Sequence, residues 1–491
     1  MNLRNQTVLL LGATALFALA GCGSSNRESA IDQQTASFQA SAGCISCHAG
    51  NKTSPVTGAQ ITDEWQKSAH NTKNGAACAD CHTNSGHPNG GSIVKAVQDT
   101  QCATCHTTVK LGSPHFANYT TSLASQYVSQ SDAAGVQCRQ CHNPHDTTSL
   151  IQYNKDWADS GHGSTTYVPG NANASSVNSH YAWTTSSRDA CSKCHTTTGY
   201  KNFTNGNAAP YMSNNKKNET IMCSACHQDY SWKRRNIGAQ TLEYTYNAAP
   251  ITLPDAKDSN LCLVCHSGRG NGQSARSSRF AGHHAPTGAD LFAEYTHLGY
   301  EFAGLDYTKK SYFEHDTIGM TDGSGPCVSC HMKAANSHTF DVVTKDANGV
   351  ITAIKSQAVC DSCHSGSYAM TAAKLEEESA GYQEAGTILK AYLANTIVNY
   401  KNAAIVYSSN PATMSDNEYG AYQNSLFPSE DPGGYAHNRY YVKRLIFDSI
   451  DFLDNSTFDG TITIDATTYP NAAAWFGAPA GTTGNYTATR P

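Results

Sequence analysis

One short pattern recurs nine times: a cysteine, two spacers, a second cysteine and a histidine. The copies are Cys44, Cys47 and His48; Cys78, Cys81 and His82; Cys102, Cys105 and His106; Cys138, Cys141 and His142; Cys191, Cys194 and His195. Cys223, Cys226 and His227; Cys262, Cys265 and His266; Cys327, Cys330 and His331; and Cys360, Cys363 and His364 complete the set. Two thiols three positions apart sit on one side of a tight turn, where they reach the two vinyl groups of one porphyrin. The following histidine then lies under the ring and offers its imidazole to the iron. Each copy reads as the attachment site of one c-type haem, with the histidine as fifth ligand.

Redox dithiols and zinc knuckles use similar spacings, but the counts exclude them. The nine copies take every one of the 19 cysteines except Cys22, and His follows every second cysteine. A zinc ribbon needs no fixed His after each pair. A thioredoxin-type site occurs once, near a βαβ pattern.

A sixth ligand per iron is the next requirement. Of 21 histidines, nine belong to motifs, so 21 − 9 = 12 remain. Trp65-x-x-Ser68-x-His70 and Trp157-x-x-Ser160-x-His162 repeat one pattern, which can set the indole against a haem edge while the imidazole reaches iron. His145 follows Cys141-His142-Asn143-Pro144, and Pro144 breaks any continuous helix, so its ring can turn to another haem. His338 closely follows the eighth motif. With His115, His180, His297, His315 and one of His283 and His284 (His283 taken), these make nine, leaving His284, His87 and His437 in reserve. Methionine, the competing ligand, shows no spacing signal. The expectation is nine bis-histidine, low-spin, low-potential haems.

The elements that position these groups must be modest. Of 491 residues, 39% are hydrophobic and 15% charged, and Gly, Ser, Thr and Asn crowd the gaps between motifs. The length suggests about three domains, yet a chain this polar builds large cores poorly. Haems supply the missing apolar surface. The net charge of −6 carries no basic stripe of the kind nucleic-acid binding requires.

The motifs follow one another at unequal intervals, too short for independent domains, so neighbouring haems must share protein walls. The stretch from Tyr230 to Asp258 has no histidine and holds Lys233-Arg234-Arg235, a solvated or propionate-pairing triplet. It suggests a division into residues 44–240 with haems 1–6 and 241–366 with haems 7–9. Residues 367–491 carry no motif and read as a haem-free C-terminal cap. Met370–Asn399 and Tyr440–Leu453 have helical apolar spacing, and Gly460–Ile464 reads as a strand.

Residues 1–21 read as a lipoprotein signal peptide. Arg4 starts it, an apolar run follows, and Leu19-Ala20-Gly21-Cys22 resembles a bacterial lipobox. Cys22 would carry a diacylglyceryl lipid and residues 22–43 would form the anchor and tether. Gly23-Ser24-Ser25-Asn26 has no acidic residue beside the cysteine, which by resemblance to bacterial lipoproteins suggests sorting to the outer membrane.

With these residues in view, the chain resembles the large multihaem c-type cytochromes on the outer surface of metal-reducing bacteria. The lipobox, Trp65 to His70, Cys138 to His145, Gly325-Pro326-Cys327 through Phe340, and Tyr435-Ala436-His437-Asn438 running into Lys443-Arg444-Leu445 carry the likeness. The resemblance implies a multihaem cytochrome c fold: mostly loops and short α-helices wrapped around a haem chain, with a small haem-free C-terminal unit of helices plus short strands. It implies electron transfer to extracellular acceptors such as metal oxides or humics, or to partner cytochromes and outer-membrane electron conduits. A subunit of an extracellular haem filament is the alternative. A nitrite- or hydroxylamine-type enzyme fits less well, because no Cys-x-x-Cys-Lys marks an open iron.

Overall fold

The structure is a computed structural model. It describes residues 35–54, 58–82, 84–93, 101–102, 104–106, 142–146, 151–163, 191–207, 221–228, 232–273, 286–333, 337–396, 400–401, 404–405 and 414–491. The expected signal segment, Cys22, His115, Cys138, Cys141, His180, His283 and His284 lie outside these residues.

The described residues separate into two units. One takes those up to Asn202 together with Ile221–Arg234; the other takes Phe203–Asn207 and Arg235–Pro491. In the first, helix α1 (Ala36–His48) is capped by Thr35, whose hydroxyl accepts the Phe38 N–H at 3.0 Å. Its last turn carries the first motif. Helix α2 (Ile61–Lys67) and the helix Ile151–Asp159 carry the two tryptophans of the repeated Trp–His pattern. Most other motif helices are a single turn, as in Cys78–Cys81, Ser192–His195 and Cys223–Cys226.

The second unit has a protein core of its own. Helix α3 (Ala372–Thr396) buries Leu375, Tyr382, Ala385, Leu389 and Leu393, apolar positions at helical spacing. It packs on helix α5 (Arg439–Asn455) and helix α6 (Pro470–Trp475), and α5 also packs on helix α4 (Asp416–Asn424). Gly381 permits the α3–α6 approach: a Cβ there would stand 2.4 Å from Cβ of Trp475. Tyr382, Leu389, Leu393, Leu445, Ile446, Phe447 and Ile450 are fully buried. Strand β1 (Thr461–Asp465) alternates exposed and buried residues, pointing Ile462 and Ile464 inward, and pairs antiparallel with strand β2 (Asn485–Thr489).

Helix α5 is buried almost all round, so its polar residues have partners. Asp448 is fully buried; it accepts Arg490 Nε at 2.7 Å and Nη2 at 2.8 Å, and the Tyr307 hydroxyl at 2.6 Å. The long interval between the seventh and eighth motifs is fastened to this core. Tyr300 and Asn424 exchange hydrogen bonds at 2.9 and 3.0 Å, the Gly299 N–H donates to the Tyr441 hydroxyl at 2.9 Å, and that hydroxyl donates to Glu301 at 3.0 Å.

Candidate haem-binding sites

Five of the described motif turns are built the same way. The histidine N–H donates to the carbonyl of the first cysteine four residues back: His82 to Cys78 at 2.8 Å, His106 to Cys102 at 2.9 Å, His227 to Cys223 at 2.9 Å, His266 to Cys262 at 2.9 Å and His364 to Cys360 at 2.8 Å. One closed α-type turn sets both thiols on one side and brings the imidazole next in line. Successive motifs abut. Cys78 lies against Cys44, Cys81 beside Cys102 and Cys105, Cys327 against Cys262, and Cys330 beside Cys360.

Five motif histidines face a second imidazole. Ring centroids are 6.1 Å apart for His48 and His87, 5.9 Å for His82 and His145, and 6.2 Å for His106 and His70. In the second unit they are 6.3 Å apart for His331 and His437 and 6.1 Å for His364 and His315. Two imidazoles binding one metal from opposite sides, each nitrogen roughly 2 Å from it, hold their ring centres roughly 6 Å apart. The residues present therefore fit a bis-histidine iron, and the haem that brings it.

Several second ring nitrogens are tied back, while the buried Nδ1 of His145 has no hydrogen-bond partner. His70 Nδ1 bonds the Pro144 carbonyl at 2.9 Å, His227 Nδ1 that of Trp232 at 2.8 Å, His315 Nδ1 that of Ala436 at 2.6 Å and His331 Nδ1 that of Phe340 at 2.7 Å. A carbonyl accepts only, so Nδ1 carries the proton and Nε2 keeps its lone pair for a metal. His437 Nδ1 instead meets both oxygens of fully buried Asp431, at 2.8 and 2.9 Å. A Cβ on Gly433 would stand 2.7 Å from Cε1 of His437, so this glycine seats the ring.

Burial favours the neutral imidazole that a metal needs. It pushes His145 down to about 4, helped by repulsion from His82 and His70, and lowers His142, His315 and His331. His437 behaves differently: burial acts to lower it, but the charge and hydrogen bond of Asp431 outweigh burial and raise it. Behind Asp431, the fully buried Asp290 carboxyl accepts no hydrogen bond, and burial and its neighbour hold it well above the usual carboxylate range.

The two Trp–His patterns are one local device used twice. Trp65 Nε1 donates to the Ala76 carbonyl at 3.1 Å, and the Ala76 N–H donates to the His70 carbonyl at 2.9 Å. Trp157 Nε1 donates to the Ile221 carbonyl at 2.8 Å, and the Ile221 N–H donates to the His162 carbonyl at 3.2 Å. Ser68 and Ser160 each bond the carbonyl of their tryptophan at 2.7 Å. Ala76 and Ile221 each precede the first cysteine of a motif by two residues. The pattern thus clamps the entry to the motifs at Cys78 and Cys223.

Among the expected sixth ligands, His70, His145 and His315 face motif histidines. His297 stacks on Tyr246 with centroids 3.6 Å apart and bonds Glu301 through Nδ1 at 3.1 Å. His338 sits beside Phe340 and its Nδ1 meets the Ser337 hydroxyl at 3.1 Å. His162 is placed by the clamp. His87 and His437, the reserves, both face motif histidines. Sequence spacing had no rule for His437, which lies far along the chain from His331; its one signal was the Tyr435-to-Asn438 segment that carried part of the family likeness.

Comparison with known proteins points to the same cofactor class, a c-type haem. The family model for cytochrome c3 matches residues 69–156. The chain is 36% identical over 353 residues to the C-type polyheme cytochrome OmcB of Geobacter sulfurreducens, covering 59% of this chain and 46% of that one. It is 36% identical over 355 residues to OmcC of the same organism, covering 59% and 45%. The chain is a multihaem c-type cytochrome. It spans about half the length of the curated relatives it matches. A solved structure, outer cell wall cytochrome OcwA, aligns over 84% of this cytochrome and 75% of its own chain, with a TM-score of 0.38 and 17% identity. Among the described residues, no helix of the cytochrome is long and apolar enough to cross a membrane.

Proposed function

We propose that this cytochrome is an electron carrier holding nine covalently attached haems, each iron closed by two histidines, and that it is not an enzyme. The single observation that carries this is the facing of five motif histidines by a second imidazole at 5.9–6.3 Å. When bound, each haem supplies a one-electron iron couple. The chain does the rest. Its motif turns hold consecutive attachment points against one another, the tied Nδ1 atoms of His70, His315, His331 and His437 fix those imidazole planes, and its paired rings leave no position for a substrate.

The assignments follow the geometry: His48 with His87, His82 with His145, His106 with His70, His331 with His437, and His364 with His315. His142, His195, His227 and His266 serve the remaining haems, with His115, His162, His180, His283, His297 and His338 as the pool of partners. The lipobox supports a lipid on Cys22 and an address at the outer membrane, and the likeness to outer-surface cytochromes supports an outward face. Metal oxides, humics or partner cytochromes are the acceptors that address implies.

The test is the spectrum of the purified holoprotein. The oxidised form should be almost wholly low spin, and the reduced form should bind carbon monoxide poorly. Reoxidation by ferric oxide should proceed without a saturable small-molecule site. A stoichiometric high-spin haem together with rapid, saturable nitrite or hydroxylamine turnover would replace this reading with catalysis.

A further inference from the structure

The five paired sites differ in what holds the second ligand, and one difference is electronic. The second ligands His70 and His315 lean on neutral backbone carbonyls, as does the motif histidine His331, and the buried Nδ1 of His145 has no hydrogen-bond partner. His437 leans on a carboxylate, with both Asp431 oxygens within hydrogen-bond reach of Nδ1. Asp431 is fully buried, so water does not screen it. The Gly433 N–H also donates to its Oδ1 at 3.2 Å, the same glycine leaves the space the His437 ring occupies, and the buried Asp290 carboxyl lies beside it, its own pKa raised by burial and by Asp431. His297 also meets a carboxylate, but at 3.1 Å, with both side chains about a quarter exposed (27% and 20%), and Glu301 is shared with the Tyr441 hydroxyl.

A hydrogen bond to a buried anion draws the Nδ1 proton away from the ring and makes the imidazole more electron-rich at Nε2. Such a ligand stabilises ferric iron over ferrous. We propose that Asp431 is a positioning and tuning residue that acts through His437 to make the site built from Cys327, Cys330, His331 and His437 the lowest-potential of the five paired sites. The proposal rests on the reading that His437 is an iron ligand. It assigns that site the role of the highest energy step within its unit: electrons leave it readily and enter it last.

The experiment uses the full-length holoprotein and its Asp431→Asn and Asp431→Ser variants, each of which leaves Nδ1–H an uncharged acceptor. Potentiometric titration is followed by visible and low-temperature paramagnetic resonance spectra. All haems should stay low spin while the lowest-potential component alone becomes easier to reduce, by roughly tenfold in its equilibrium constant, or about 60 mV for a one-electron couple. Asp431→Glu should return that component toward its original position. An unchanged titration in a variant that keeps every haem low spin overturns the proposal while leaving the ligand reading intact. Loss of one low-spin haem in both variants assigns Asp431 to holding the ring and also overturns it. His437→Ala separates the two ideas, because a fully low-spin spectrum there removes the ligand reading itself.

Discussion

His331 and His437 face each other with ring centroids 6.3 Å apart, although only His331 belongs to a cysteine motif. The partner comes from the tail, just before α5, where Asp431 and Gly433 fix its ring. The tail therefore brings an imidazole to a motif histidine as well as building a core. It also orients another, since the Ala436 carbonyl accepts from His315 Nδ1 at 2.6 Å.

His87→Ala and His437→Ala should each convert one haem from low to high spin and leave the others unchanged. Paramagnetic resonance of the oxidised variants reads this directly. Two wholly low-spin spectra would mean that the facing rings at 6.1 and 6.3 Å are packing partners only.

The intact mature protein should weigh nine haems more than its polypeptide. Every motif has the same spacing, and each of the five motif turns compared above closes with the same His-to-Cys hydrogen bond. Mass spectrometry after full maturation checks this, and a count of seven or fewer means that some motifs stay empty. The same spectrum should show a diacylglyceryl mass on a polypeptide that begins at Cys22.

How far the sequence carried this reading depended on range. The motif turns were legible because five consecutive residues contain all their chemistry. Helix α3 was legible because Leu375, Tyr382, Ala385, Leu389 and Leu393 recur at helical spacing along one stretch. The Trp–His pattern announced itself by repetition, but the acceptor of each indole N–H did not: it is a backbone carbonyl eleven residues on in one copy and far along the chain in the other. Strand β2, the facing of His87 with His48 and that of His437 with His331 were not legible. Each depends on a partner chosen by tertiary packing, for which local spacing holds no information. Asp290 and Asp431 were passed over because an isolated aspartate looks like surface until its burial is known.

Trp157→Phe should cost about 1–3 kcal/mol, the penalty for leaving the buried Ile221 carbonyl without its donor. Trp65→Phe should cost less, because the Trp65–Ala76 bond is only part-buried. Chemical denaturation followed through the haem band reads both. Equal stability of both variants with wild type would show that the indoles act by bulk alone.

Lys443 should make the tail less stable in mild acid. It is 6% exposed, and its Nζ donates to the Trp475 carbonyl beside the faces of Trp475 and Phe476. Burial, with repulsion from Arg439, lowers its pKa to about 7, against a weaker opposing pull from Glu378. The unfolded chain would hold that proton to about 10.4. Between these values the unfolded state binds more protons, so stability rises with pH from about 7 to about 10 and the full penalty applies below 7. A shift of this size corresponds to a few kcal/mol. Glu430, pushed up to about 7 by burial, gives the opposite slope below that pH, so the comparison must be made variant against wild type at each pH. Lys443→Met removes the charge and keeps the stem, at the cost of one hydrogen bond. Hydrogen exchange in α5 and α6, corrected for intrinsic rates, should be slower in the variant than in wild type at pH 6. The gain should vanish or reverse by pH 10. Equal protection at both pH values would mean that Lys443 reaches water in the folded protein and that its burial does not govern its charge.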